Sequence, residues 1–378
     1  MANGGASDAR GLGFLLTAQG WPYLLVPFIA VAIVLDLANA SATAIFITAA
    51  LGIIPTAALM GLATEELATR SGPGIGGLLN VTFGNAPELI IALFALGEGL
   101  QEVVKASIVG SIIGNILLVL GAAMFVGGIG RDRQYFNATA ANVQALMLLL
   151  AVAALAMPAI FELVEGQGLP SVNAERVDYG STVEQLSFAV AVVLAVTYVA
   201  GLLFSLKTHR DIFNPREGPP EEPAFGWSAR RSIMMLAAAG IAVGVMSEVL
   251  VGSIAEASQS VGLSEFFIGV IVIAIVGNAA EHWVAVLVAH KNKMNLAVNI
   301  AIGSSAQVAL FVAPILVFAS FVLGPEPMAL VFNGFELGAV VLAVLIANHV
   351  THEGESTWFE GVQLLAVYVI LALAFGFA

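Results

Sequence analysis

Long apolar runs broken by short polar stretches dominate the chain. A helix needs about 20 mainly apolar residues to cross the hydrocarbon core. Eleven such runs lie near 14–38, 43–66, 76–97, 103–128, 141–163, 183–206, 230–256, 266–289, 295–323, 327–349 and 357–377. They predict an all-α polytopic membrane protein of eleven transmembrane helices. The N-terminal run reads as an uncleaved first segment, since no cleavage signal follows Arg10. The longest polar connection, Lys207 to Ser228, contains DIFNPREGPPEEPAF. Its Pro, Gly and Glu content reads as a flexible linker between two halves.

The basic residues give the topology. With the N-terminus inside, the inner connections hold Arg10, Arg70, Arg131, Arg133, Lys207, Arg210, Arg216, Arg230, Arg231, Lys291 and Lys293. The outer ones hold only Lys105 and Arg176. Cytoplasmic loops carry the Lys/Arg excess, so this split supports the count of segments and a cytoplasmic N-terminus together. The C-terminus is then expected on the far side of the membrane.

Two of the apolar runs share a plan. Gly84-Asn85-Ala86-Pro87-Glu88 recurs as Gly277-Asn278-Ala279-Ala280-Glu281, an offset of 193 residues. At the same offset Gly110-Ser111 matches Gly303-Ser304, and close to it Phe136-Asn137 matches Phe332-Asn333 and Glu66 matches Glu256. Segments two to six therefore repeat as seven to eleven, with the first segment extra. Five is odd, so the second copy crosses the membrane inverted, an arrangement that places ion sites near the midplane where the copies meet. The expected division is an N-terminal part, 1–40, a first five-helix repeat, 41–206, a cytoplasmic linker, 207–228, and a second repeat, 229–378.

Composition narrows the chemistry. The 378 residues are 59% hydrophobic and 10% charged, against about 25% charged in a soluble domain, so lipid is the solvent for most of the chain. There is no cysteine, which excludes disulfides, thiolate metal sites and cysteine nucleophiles. The net charge of −13 gives no nucleic-acid signal. No HExxH motif and no serine–histidine arrangement points to an enzyme.

An ionisable residue at the bilayer centre costs about 2.5–3.5 kcal/mol on insertion scales, so Glu88 and Glu281 at matching positions call for a purpose. Inversion brings them face to face, where they can hold a cation between them. Pro87 and Gly84 break the first helix and free carbonyls there; in the second copy the break rests on Gly277 alone. The amides of Asn85 and Asn278 add oxygen ligands. Ser111, Ser304, Ser305 and Gln307 are further candidates, as is Glu248 on the pathway, with His282 expected to orient by hydrogen bonding. Glu65, Glu66 and Glu256, near segment ends, are candidates for a gate or a cation-attracting rim. Glu336 reads as a structural hydrogen-bonding group. An all-oxygen site suits a hard cation such as Ca²⁺. Without one, the two carboxylates repel and lose solvation, and protons relieve both. Protons and cation then compete for one site, which is the logic of exchange. Ca²⁺ enters as transported substrate, and no cofactor is expected.

The stretches GGLLNVTFGNAPELIIALFAL, VVKASIVGSIIGNILLVLG, FFIGVIVIAIVGNAAEHWVAV and HKNKMNLAVNIAIGSSAQVALFVAP resemble the cation/proton exchanger family of Ca²⁺/H⁺ antiporters within the calcium/cation antiporter superfamily. The resemblance runs from about Leu51 to the end. It implies the eleven-helix fold with a ten-helix inverted core. It also implies Ca²⁺ and proton binding at Glu88 and Glu281 with Asn85 and Asn278 close by, and a gating pair formed by segments two and seven that slides against the rest. Eukaryotic members have a long acidic stretch between the halves; here only Glu217, Glu221 and Glu222 mark the linker, which gives the chain a prokaryotic look and a place in a cell membrane. A sodium-driven calcium exchanger, or a Na⁺(K⁺)/H⁺ antiporter, on the same fold is the alternative, although the sodium-coupled GTSxPE pattern is not what GNAAEH presents.

Overall fold

The structure, a computed structural model, describes residues 17, 20–166, 168–172, 179–209 and 225–378, without the side chains of 72–74 and 81. Arg10, Arg176, Arg210, Arg216 and the linker acids Glu217, Glu221 and Glu222 lie outside the described residues. The described chain is almost wholly helical. Among the described residues eight helices are long and apolar enough to cross a membrane: α2 (Ala42–Ser71), α4 (Gln101–Gly128), α5 (Ala138–Val164), α6 (Gly180–Thr208), α7 (Ala229–Gly252), α8 (Glu265–His290), α9 (Met294–Ser320) and α11 (Trp358–Phe377). A broken span, α3, joins Ile75–Gly84 to Ala86–Gly97 at 42°. Two shorter apolar helices, α1 (Trp21–Leu37) and α10 (Gly334–Val350), complete eleven segments where the hydrophobic pattern puts them.

Boundaries moved for identifiable reasons. Helix α10 begins at Gly334, not near 327, because Asn333 caps it: its side chain accepts from Glu336 N (2.9 Å) while Glu336 Oε2 accepts from Asn333 N (2.8 Å). Its expected counterpart Asn137 caps α5, accepting from Ala140 N at 3.1 Å. The preceding Phe136 and Phe332 are both buried. Segment seven stops at Gly252, and a separate short helix, Ile254–Val261, carries Glu256. Lys105, placed by the charge count in an outer loop, lies inside α4 and is 1% exposed. Its Nζ donates to Val331 O (2.7 Å), pairs with Glu102 (2.7 Å) and sits over the Tyr179 ring.

Connections tie together in two separate sets. On one face, called near here, Arg131 between α4 and α5 donates to His290 O at the end of α8 (3.0 Å), and Gln134 to Ala289 O and Asn292 Oδ1 (3.0 and 3.1 Å). The strands β1 (Gln134–Tyr135) and β2 (Glu355–Ser356) pair antiparallel, with Arg133 bonded to Glu355. On the opposite face Gln101 donates to Glu326 O (2.7 Å), Leu330 N to Ser187 Oγ (2.9 Å), and Thr43 meets Ser260 (2.5 Å). Each set contains only connections of one parity in the eleven-segment count, as a chain crossing between two faces requires.

Helices α2 and α7 pack along their lengths; among the described residues α4 and α9 are the most buried spans, with α8 packed against α4. At Gly110, packed on the Val270 carbonyl, α4 and α8 approach backbone to backbone. Four π-helical turns interrupt the interior helices: Gly114–Val119 in α4, Ile268–Ile273 in α8, and Asn299–Gly303 and Val308–Val312 in α9. Such turns concentrate at functional sites.

Candidate cation site

The two GNA boxes meet at the break in α3. Asn85 is the residue between the halves of α3, with φ −96° and ψ 17°. Pro87 falls in the first turn of the second half, where its missing N–H costs no helical bond. The matching box in α8 is unbroken: α-helix runs from Ala274 to His290. The expected break at Gly277 is therefore absent, because Ala280 in place of proline leaves the hydrogen-bond ladder intact. Gly277 serves packing instead. A β-carbon there would stand 3.0 Å from Glu88 Cγ, and one on Gly84 would stand 3.1 Å from Glu281 Oε1. Each carboxylate side chain thus lies on the glycine of the other box.

Around the carboxylates the amides and hydroxyls cross between the boxes. Asn85 Nδ2 donates to Gln307 Oε1 (2.6 Å), and Ser304 Oγ approaches both Asn85 Oδ1 (2.9 Å) and Glu281 Oε2 (3.3 Å). In the other box Asn278 Nδ2 donates to Ser111 Oγ (3.2 Å) and to Ala274 O (3.0 Å). So Asn85 meets Ser304, the counterpart of Ser111, and Asn278 meets Ser111 itself. Both oxygens of Glu88 and the Oδ1 of Asn278 are buried without a hydrogen-bond partner. Buried acceptors of this kind are costly when left unsatisfied. Among the described residues, no three His, Asp or Glu side chains converge to hold a metal ion; the oxygens come from two carboxylates with amides and hydroxyls.

The remaining candidates divide. His282 Nε2 lies 3.1 Å from Asn115 Oδ1. Ser305 bonds backbone carbonyls, Ala301 O at 2.9 Å and Ile112 O at 3.4 Å, so it ties helices together. Glu248, Glu65 and Glu256 are exposed and none joins the cluster. Glu66 is buried and engaged elsewhere, accepting from Phe225 N and Trp227 N. Asn115, the partner of His282, lies in the π turn of α4, which leaves no mark in the residue pattern.

A helical bundle with an oxygen-lined pair of carboxylates at the junction of two like halves is the architecture of a membrane ion transporter. The chain belongs to the sodium/calcium exchanger protein family, which it matches over residues 41–207 and again over 231–377. A "Ca(2+)/H(+) antiporter" of Aphanothece halophytica is 45% identical to it, over 88% of this chain and 90% of the relative. The "Ca(2+)/H(+) antiporter ChaA" of Bacillus subtilis is 43% identical over 96% and 98%. Among solved structures, native YfkE matches at TM-score 0.79 and 40% identity over 94% of this chain and 99% of that one. The H⁺/Ca²⁺ exchanger CAX shares the fold at TM-score 0.69 with 14% identity, over 96% and 92%.

Proposed function

We propose that this chain exchanges Ca²⁺ for H⁺ across a membrane by alternating access, with Glu88 and Glu281 binding either the cation or protons. The observation that carries the reading is the reciprocal seating of the two carboxylates, each against the other box's glycine. With them come the partnerless oxygens of Glu88 and Asn278. One divalent ion satisfies those oxygens; so do protons on the carboxylates. A site that is nearly neutral in either state can be presented to both sides at little electrostatic cost. The names of the relatives support the same pair of ions.

The halves act as inverted repeats, 41–206 and 229–378, preceded by an extra helix and joined by the linker 207–228. The near face, where Arg131, Arg133, Lys291 and Lys293 gather, is cytoplasmic; the C-terminus lies across the membrane. In a bacterial cell membrane, proton flow inward then drives Ca²⁺ out.

The test is uptake of radiolabelled calcium by liposomes holding the purified protein under an imposed pH gradient without sodium. Gradient-dependent uptake that is lost in Glu88→Gln and in Glu281→Gln is the expected result. Uptake that ignores the pH gradient, follows a sodium gradient instead, or survives both substitutions overturns it.

A further inference from the structure

Glu66 is used by nothing described so far. It sits near the near-face end of α2 and is 1% exposed, although nothing in the ion site touches it. Both carboxylate oxygens are occupied: Oε1 accepts from Phe225 N at 2.7 Å and Oε2 from Trp227 N at 2.8 Å. These are the backbone N–H groups just ahead of Ser228, the residue that caps α7 by accepting from Arg231 N. Trp227 is itself buried, with the Arg231 guanidinium 4.9 Å from its ring centroid. Two charge-assisted bonds to main-chain donors are strong and directional, and they hold whatever side chains stand at 225 and 227. The Glu256 position, its expected counterpart, is exposed, so the device exists on one face only.

We infer that Glu66 is a positioning residue for the exchange, a clasp that fixes the height at which α7 starts relative to α2. The inference rests on the antiporter reading and takes α2 and α7 as its gate, because the register of these two helices matters only if they move. Helices α2 and α7 pack along their lengths, and near the other end of α2 Thr43 meets Ser260 of the short helix that follows α7, at 2.5 Å. Packing of apolar side chains alone permits axial slippage between helices; a carboxylate gripping two main-chain N–H groups at the entry to α7 does not. Glu66 therefore keeps the gate helices in one register on the near face throughout the cycle.

The chain has no cysteine, so labels can be placed at will. Spin labels on Thr69→Cys and Arg230→Cys, both exposed positions, report the register directly. A single narrow distance distribution that broadens in Glu66→Ala is expected, with Glu66→Gln between the two because its amide keeps one acceptor. An unchanged distribution in Glu66→Ala overturns the clasp whatever the transport result. In liposomes, Glu66→Gln, which loses one of the two bonds, should lower the maximal rate of pH-driven calcium uptake about tenfold, the worth of one such bond, and Glu66→Ala, which loses both, should lower it further, with the half-saturating calcium concentration unchanged in each. A purely structural role would instead lower the amount of active protein and leave the rate per folded molecule intact. Joining Glu66→Cys to Trp227→Cys with a short thiol cross-linker should restore the rate; a cross-link that stops transport shows that the contact must open, and overturns the inference. If wild-type protein shows no pH-driven uptake, the antiporter reading falls while the distance measurement still decides the clasp.

Discussion

Glu88 lies against Gly277 so closely that a β-carbon on the glycine would be 3.0 Å from Glu88 Cγ. That glycine is a seat for a carboxylate, and Gly84 is the seat for Glu281. The sequence motif thus records a spatial relation between two boxes 193 residues apart, and the glycines are as much part of the site as the acids.

Gly277→Ala and Gly84→Ala should each push a carboxylate from its seat. Overpacking costs about 1–3 kcal/mol, so calcium uptake should fall by about ten- to a hundredfold while the protein still inserts. Gly114→Ala is the control, since a β-carbon there meets nothing within 4 Å; its uptake should match wild type, measured in the same liposomes.

Adjacent serines should behave differently. Ser304 reaches Asn85 and Glu281, whereas Ser305 bonds only carbonyls. Ser304→Ala should weaken calcium uptake severalfold, and Ser305→Ala should leave it near wild type, with at most about 1 kcal/mol lost in stability. Equal effects would mean that both serines are merely packing.

Asn85 and Gln307 form one unit through their 2.6 Å bond. A double-mutant cycle with Asn85→Ala and Gln307→Ala, read as half-saturating calcium concentration, should show a coupling of about 0.5–3 kcal/mol. Additive effects would separate Gln307 from the site.

Lys105 predicts a stability effect on the opposite face. It is buried among Glu102, the Val331 carbonyl and the Tyr179 ring. Lys105→Met leaves Glu102 without its cation and should destabilise the protein by about 3–5 kcal/mol, seen as a lowered thermal midpoint in detergent. Adding Glu102→Gln should recover part of it.

How much of this the residues announced depends on which physical signal each feature leaves. The eleven segments were legible because lipid demands long apolar runs. The faces to which connections belong were legible because basic residues avoid one side. The two boxes stood out because carboxylates are rare in such runs. Lys105 was misread because its charge looks like loop, while its buried partners come from positions far away in sequence, Val331 and Tyr179. The unbroken α8 was not foreseen because a glycine can loosen a helix or simply make room, and only the neighbour, here Glu88, decides which. Glu66 was placed with Glu65 and Glu256 as rim; nothing local distinguishes a carboxylate that faces water from one that grips a distant backbone.

The crossed bonding of the asparagines makes the two halves interdependent. Asn85 finds its hydroxyl partner on Ser304 and Asn278 finds its own on Ser111, so each half supplies a hydroxyl to the other's asparagine. A single unjoined copy would carry an amide and a hydroxyl that could meet only across a contact with a second, antiparallel copy. The two halves therefore depend on each other for the polar shell of the site, and neither would carry it alone.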